Sequence, residues 1–155
     1  MHKSFKKFAD NLHPRFCQMK RMVPVKFESF PSDMPDAGIY LLSEGKRHLY
    51  VGRSNRIRRR LGKHSQPCSP PHAAAFAFQL AREATGNLKA TYQKTGSRKD
   101  LMKKRKFRDA FSKAKERIRN MDVRYVGESN PTTQCLLEVY AAVVLKTPYN
   151  SFGTH

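Results

Sequence analysis

The fold is decided by the stretch GIYLLSEGKRHLYVG, residues 38–52. Ile39 and Leu41 alternate with Tyr40 and Leu42, which is the two-residue period of a strand. The segments 38–43 and 47–52 are joined by Glu44-Gly45, a turn-forming pair. We therefore predict a β-hairpin that places a tyrosine on each of its strands.

The N-terminal segment 1–37 is predicted to hold a short basic helix that ends near His13-Pro14. A proline-punctuated, extended lead-in follows this helix. Residues 38–155 are predicted to form the main domain. At 155 residues the chain is long enough for one hydrophobic core, so we expect a single domain overall.

Apolar spacing and capping residues place the remaining elements. Ser54 or Asn55 is predicted to cap a helix that runs to about His64, and Asn130 caps a last helix with Pro131 in its first turn. The segments between them are predicted to be a helix at 72–84, a polar connector at 86–96, a helix at 98–119 and a strand at 122–126.

The chain carries 31 Lys and Arg against 12 Asp and Glu, a formal net charge of +19. Such a charge favours polyanions, with nucleic acid ahead of an anionic membrane surface. The longest apolar run, 139–145, is far too short to span a bilayer, and no secretory signal is recognisable. Three cysteines without a CxxC pair favour a reduced, intracellular compartment, and we expect a cytoplasmic protein.

The helix after Gly52 is predicted to direct two functional side chains toward the sheet edge. Arg60 and His64 share one side with the apolar residues Ile57 and Leu61, since positions three and four apart are neighbours. The other faces are basic and fit either a solvated surface or phosphate contacts. The residues predicted there to bind nucleic acid are Arg53, Arg56, Arg59 and Lys63.

Glu138 is the only charged residue between Cys135 and Leu145. A carboxylate buried in an apolar helix needs a cation or a hydrogen-bond donor nearby. One interpretation is a structural pair with a buried Arg or Tyr. The other is a ligand for a hard divalent ion that keeps most of its waters and shares the substrate phosphate.

Tyr40 and Tyr50 are expected to be neighbours across the hairpin. Alone, two strand tyrosines are more often packing residues. A free phenol has a pKa near ~10, but nearby arginine and metal charge would lower it and make a base plausible.

Two further patterns need an interpretation. His64, Cys68 and His72 are spaced by four, as are His13 and Cys17, which hints at zinc, although nearby prolines disfavour a shared helical face. The helix 98–119 holds eleven Lys and Arg, and we expect its basic faces to stay in solvent and follow a phosphate backbone. The residues predicted there to bind nucleic acid are Lys103, Lys104, Arg105 and Lys106.

The sextet Tyr50-Val51-Gly52-Arg53-Ser54-Asn55 has an echo in Tyr125-Val126-Gly127-Glu128-Ser129-Asn130. No surrounding similarity extends the echo, so it is not a structural repeat. Only the first copy has Gly-Ile-Tyr upstream and Arg and His downstream, so the chemistry is assigned to the first copy.

These residues resemble the GIY-YIG nuclease superfamily, with Tyr50-Val51-Gly52 in place of Tyr-Ile-Gly. The resemblance covers most of residues 38–150. It implies an α+β fold in which a small three-stranded antiparallel sheet is flanked by helices. It also implies a phosphodiester-cleaving endonuclease with one Mg²⁺ or Mn²⁺, acting on DNA in preference to RNA.

The resemblance implies a role for each matching residue. Tyr40 would be the general base, Tyr50 would position water or phosphate, and Arg60 would stabilise charge on the phosphate. His64 would assist the phosphate or the base. Glu138 would hold the metal ion, and Asn150 would support the site.

The chain departs from the family pattern in two ways. The stretch 66–121 is longer than in compact members, and no fused recognition domain is apparent. A protein partner that supplies specificity is therefore possible, while the oligomeric state is not predicted. The alternative functions are a catalytically inactive nucleic-acid-binding protein that keeps the fold, and a basic RNA-associated protein.

Overall fold

The computed structural model describes residues 1–89 and 93–152. The described chain forms two compact units, Met1–Arg60 with Met121–His155 and Leu61–Asn120. The prediction of a single domain with its main part at 38–155 stays a prediction. In chain order the elements are α1 Lys3–Arg21, β1 Gly38–Glu44, β2 Arg47–Ser54, α2 Ile57–Ser65, α3 Ala75–Ala84, α4 Arg98–Leu101, α5 Arg105–Arg119, β3 Asp122–Gly127 and α6 Pro131–Leu145.

The sheet has three antiparallel strands in the order β2-β1-β3, which confirms the predicted α+β class and the hairpin. Its central strand β1 places Tyr40 opposite Gly52 on one side and opposite Tyr125 on the other. Tyr50 pairs with Leu42, so Tyr40 and Tyr50 are diagonal neighbours on the same face, as expected.

The other face of the sheet builds the hydrophobic core of the first unit. Ile39, Leu41, Val51 and Val126 are buried there and pack with apolar residues of α1 and α6. Because side chains alternate along a strand, this burial leaves the tyrosines on the opposite face.

Helix α1 continues through Pro14 to Arg21, so the predicted end at His13-Pro14 is wrong. Proline removes one intrahelical hydrogen bond, the one to the carbonyl of Asp10. Pro14 and Asp10 are both exposed, so water can solvate that carbonyl. Burial of Phe16 and Met19 beyond the proline favours continuation of the helix.

The predicted Asn130 cap of α6 is confirmed, whereas Ser54 bonds a backbone group in the turn before α2 and does not cap that helix. The backbone N–H of Arg56 donates to Ser54 Oγ at 2.9 Å just before α2. At α6 the N–H of Thr133 donates to Asn130 Oδ1 at 3.0 Å, with Pro131 in the first turn. The Asn130 side chain thus satisfies an N–H group that the start of α6 leaves without an intrahelical partner.

The second unit contains α3, α4 and α5, and the predicted helix 98–119 is interrupted at residues 102–104. Leu101 and Phe107 are both buried, yet six residues of a continuous helix would turn them to different sides. The interruption lets both reach the interior. Arg108 Nη1 donates to the carbonyls of Met102 and Lys103, at 3.3 and 2.9 Å, and so satisfies the broken turn.

Lys115 departs from the prediction that the basic faces of this segment stay in solvent. It is only 5% exposed. Its Nζ donates to the carbonyls of Pro67 and Ser69 and lies 4.4 Å from the centre of the Phe111 ring. The Lys115 ammonium therefore links α5 to the loop between α2 and α3, which contains Pro67 and Ser69.

Within residues 1–89 and 93–152, no helix combines the length and the apolar character that crossing a membrane requires.

Candidate active site

An open cavity of about 380 Å³ lies in the first unit, where β1 and β2 meet the first turn of α2 and the middle of α6. Four of the six predicted catalytic residues line it, namely Tyr40, Tyr50, Arg60 and Glu138. The described residues that line it are Tyr40, Tyr50, Arg53, Ser54, Asn55, Arg60, Gln134 and Glu138. The structure thus gathers residues that are up to 98 positions apart in sequence (138 − 40).

Two phenols and one guanidinium are neighbours in the lining of this cavity. The ring centres of Tyr40 and Tyr50 are 6.4 Å apart. The Arg60 side chain hydrogen-bonds with both phenols. Burial raises the pKa of both tyrosines above the ordinary value of 10.0, and the positive charge of Arg60 acts in the opposite direction. Both tyrosines are therefore neutral hydrogen-bonding groups at neutral pH.

Gly52 is required by the position of the Tyr40 side chain. Tyr40 is completely buried, and its ring lies against the Cα of Gly52 on the neighbouring strand. A Cβ at position 52 would overlap the ring and its hydroxyl. The last residue of the Tyr-Val-Gly motif therefore makes the space in which the phenol sits.

Gly38, at the start of β1, is required by its neighbours in the same way. A Cβ there would overlap the carbonyl oxygen of Val126 on β3. The two outer glycines of the paired tripeptides, Gly38 and Gly52, thus permit close approach on opposite sides of β1.

Glu138 forms an ion pair with Arg53, which supplies the nearby cation that was predicted for a carboxylate in an apolar helix. Arg53 Nε donates to Glu138 Oε2 at 2.9 Å. Burial raises the pKa of Glu138 above 4.5, while the charge and hydrogen bond of Arg53 act to lower it. Arg53 belongs to the end of β2 and not to the helix that follows, which corrects its predicted placement on a helix face.

Gln134 and Asn55 are lining residues that the sequence did not reveal. Gln134 is 2% exposed, and its Nε2 donates to Asn55 Oδ1 at 3.0 Å and to the Glu128 carbonyl at 2.7 Å. These two bonds use both amide protons and fix the orientation of the side chain. The four-residue spacing of Gln134 and Glu138 on α6 was the available signal.

Asn150 lies outside the cavity and binds the backbone of the hairpin. Its Oδ1 accepts from the Val51 N–H and its Nδ2 donates to the Val51 carbonyl, both at 2.8 Å. Thr147 Oγ1 also donates to Asn150 Oδ1 at 2.8 Å. Because β2 is an edge strand, Asn150 satisfies backbone groups between Tyr50 and Gly52 that have no partner strand. Its position suits a supporting role.

His64 is not among the described residues that line the cavity. It is fully buried in the second unit, where its ring meets Phe76 edge-on with the ring centres 6.3 Å apart. The helical spacing predicted a shared side for Arg60 and His64, but it could not reveal the packing of the imidazole.

The residues predicted to contact nucleic acid are mostly exposed. Arg56, on the loop before α2, and Arg59, on α2 itself, are both exposed. Lys63, also on α2, is half-buried. In the second unit the basic cluster around the start of α5 is exposed. It comprises Lys103, Lys104, Arg105 and Lys106.

The second copy of the motif, residues 125–130, begins within β3, the strand that flanks β1 on the side away from β2. Tyr125 is opposite Tyr40, at a position equivalent to that of Gly52 in the hairpin. It is not among the described residues lining the cavity. The assignment of the chemistry to the first copy stays a prediction.

The oxygen atoms that line the cavity determine which metal ions it could bind. Among the described lining residues Glu138 is the only carboxylate, and it is accompanied by neutral oxygen donors such as Gln134 and Ser54. That set fits a divalent ion that keeps most of its water ligands, as Mg²⁺ does. It does not fit an ion that needs a cage of several protein ligands.

The described residues contain no group of three His, Cys, Asp or Glu suited to hold a metal ion. Of the pattern that hinted at zinc, His13 and Cys17 form a pair with Nε2 and Sγ 3.4 Å apart. The other nitrogen of His13 lies 2.8 Å from the Tyr140 hydroxyl.

Comparisons of the chain with protein-family models, with curated proteins and with solved structures find no match. The functional assignment therefore depends on the geometry of the cavity and on the residues that form it.

Proposed function

We propose that this protein is a divalent-metal-dependent endonuclease of the GIY-YIG type that hydrolyses phosphodiester bonds in DNA. The observation that supports the proposal best is the meeting of Tyr40, Tyr50, Arg60 and Glu138 around one open cavity. A packing role alone gives no reason for two phenols, a guanidinium and a carboxylate to share a cavity.

The phosphate would be bound mainly by charge. Arg60 is half-buried and fixed by its bonds to both phenols, so its guanidinium is held ready to offset charge on a phosphate. Asn55, oriented by Gln134, keeps its amide N–H groups as donors at the same cavity. Preorganised donors of this kind stabilise the charge of the transition state without reorganisation.

Glu138 would hold the Mg²⁺ or Mn²⁺ ion, with Gln134 one helical turn away as a neutral oxygen donor. When bound, the ion would supply positive charge that stabilises the leaving oxygen.

Tyr40 would take the proton of the attacking water. The water oxygen forms a bond to phosphorus, one ester oxygen leaves, and the proton passes to the phenolate oxygen of Tyr40. This role requires the phenol to be ionised, and its burial opposes ionisation. The positive charge of Arg60 favours the phenolate and so offsets part of the effect of burial. Tyr50, whose ring lies beside that of Tyr40, would orient the water or the phosphate.

The surface charge supports DNA as the substrate. A net charge of +19 and exposed arginines beside the cavity provide sequence-independent affinity for a phosphate backbone. We propose an intracellular, reduced location, because the three cysteines Cys17, Cys68 and Cys135 are free thiols. A partner protein that supplies target specificity belongs to the same proposal.

Incubation of supercoiled plasmid with the protein and Mg²⁺ tests the proposal, with Glu138→Ala as the comparison. We expect the wild type to convert the plasmid to nicked or linear forms and the variant to leave it supercoiled. Intact plasmid in Mg²⁺ and Mn²⁺, together with tight binding, would instead identify an inactive nucleic-acid-binding protein. Equal cutting by Glu138→Ala would refute the role of the carboxylate.

A further inference from the structure

The side chain of Arg53 is held by the same carboxylate that the proposed function assigns to the metal ion. Its Nε lies 2.9 Å from Glu138 Oε2, and both residues line the cavity. The Arg53 side chain is 45% exposed, whereas that of Glu138 is only 19% exposed. The carboxylate is thus the fixed partner, and the guanidinium is the one with room to move.

A guanidinium and a divalent ion compete for the same carboxylate oxygens. The ion carries the greater charge and binds carboxylate oxygen directly, so it weakens the hold of the carboxylate on Arg53. Arg53 would then lie at the cavity with its five N–H donors available, and a phosphate is the anion that suits this planar fork.

We propose that Arg53 is a switched phosphate ligand, which Glu138 retains until a divalent cation occupies the carboxylate and which then binds a phosphate oxygen of the substrate. This inference rests on the proposed function and deepens it, because it links ion binding to substrate binding. Metal and DNA would bind with positive coupling, since each favours the state in which the ion pair is open.

The position of Arg53 in the chain supports this role. It directly follows Gly52 near the end of β2, and Ser54 and Asn55, which also line the cavity, come next. A movement of its side chain needs no change in the strand. The ion pair joins β2 to α6, so its opening alters only one contact between these elements.

The first test measures Mn²⁺ binding to the full-length chain by electron paramagnetic resonance, without DNA. We expect Arg53→Gln to bind Mn²⁺ about fivefold more tightly than wild type, because the competing cation is gone. Arg56→Gln is the matched control, since Arg56 is a nearby exposed arginine that also loses one charge. Equal tightening by the two variants would overturn the switch, because it would reflect net charge alone.

The second test is a double-mutant cycle on binding of a fluorescein-labelled DNA duplex in EDTA. Glu138→Gln should strengthen DNA binding about fivefold in the wild-type background, because Arg53 is released without any ion. In the Arg53→Gln background the same change should have almost no effect. An identical effect in both backgrounds would refute the proposal, and Glu138→Ala repeats the cycle should the amide still hold Arg53.

Failure of the switch and failure of the proposed function give different results. If Glu138→Gln abolishes Mn²⁺ binding but the DNA cycle shows no coupling, the metal site stands and the switch is wrong. If Mn²⁺ binding is unchanged by Glu138→Gln, the metal assignment of the proposed function is wrong, and the switch fails with it. Thermal unfolding of each variant confirms that the comparison is made between folded proteins.

Discussion

The side-chain amide of Asn150 pairs with both backbone groups of Val51, accepting from its N–H and donating to its carbonyl at 2.8 Å each. Val51 lies between Tyr50 and Gly52, so this pair of bonds fixes the strand that shapes the cavity. An edge strand without such a partner would leave these groups to water and allow the strand to fray.

Asn150→Ala is expected to lower the free energy of unfolding by about 1–3 kcal/mol, because two backbone groups lose their partners. Urea denaturation followed by circular dichroism measures the change. Asn11→Ala is the control, since Asn11 makes only a 3.5 Å bond on the surface of α1. Equal stability of the two variants would contradict the supporting role.

Gly52→Ala is expected to destabilise the protein by about 1–3 kcal/mol, as overpacking of a filled site does. The added Cβ overlaps the ring of Tyr40. A double-mutant cycle with Tyr40→Ala isolates this contact: in that background Gly52→Ala should cost much less. If its cost is the same in both backgrounds, the overlap with the phenol is not the cause.

Cleavage is expected to accelerate steadily with pH through the neutral range, with a slope near ~1 in log rate. Burial raises the pKa of Tyr40 and Tyr50 above 10.0, so the phenolate population grows across this range without reaching a plateau. Tyr40→Phe should reduce the rate by about a hundredfold or more and flatten the profile.

Tyr125→Phe provides the matched control for that pH profile. Tyr125 is the cross-strand neighbour of Tyr40 and its pKa is also raised by burial, but it is not among the described residues lining the cavity. It should retain the wild-type profile. A pH-independent rate in wild type would exclude a tyrosine base.

Glu138→Gln is expected to stabilise the protein at neutral pH. Burial raises the pKa of Glu138 in the folded state above 4.5, so the folded protein holds this proton more tightly than the unfolded chain. Stability from this group is therefore complete below pH 4.5 and is lost as pH rises through the folded-state pKa.

The difference in unfolding free energy between Glu138→Gln and wild type tests the pH dependence. It should grow from below pH 4.5 to a constant value above the folded-state pKa. A difference of the opposite sign at neutral pH would mean that the Arg53 ion pair outweighs the burial of the carboxylate.

Neutralising Lys103, Arg105 and Lys106 with glutamine should weaken DNA binding uniformly across sequences. Each lost phosphate contact reduces the slope of log affinity against log salt by about 0.9 for duplex DNA. The control replaces Lys3, Lys7 and Lys46, which are equally exposed. An equal loss of slope in both triple variants would show that total charge, and not the α5 cluster, sets the affinity.

Local signals in the sequence were enough for most of the fold and for the core of the site. Strand alternation placed Tyr40 and Tyr50 on one face, and the helical period after Gly52 directed Arg60 toward the sheet edge. The isolation of Glu138 in an apolar helix predicted a nearby cation. Each of these inferences uses a repeat or a cap within a few residues.

The features that the sequence did not reveal depend on contacts between distant segments. Arg53 could be recognised as the partner of Glu138 only from the approach of β2 to α6. The continuation of α1 through Pro14 follows from burial of Phe16 and Met19 against the core. The packing of His64 against Phe76 likewise has no local signature.

The burial of Lys115 has a practical consequence for mapping where the protein binds its partners by mass spectrometry. Reagents that acylate amines modify exposed lysines first, and Lys115, with its Nζ on two carbonyls, is shielded from them. Lys115 should therefore stay unmodified as long as the second unit is folded. While it does, reduced labelling of Lys103, Lys104 or Lys106 can be assigned to a bound ligand. Labelling of Lys115 would reveal that this unit has opened, and would separate footprints from unfolding in a single experiment.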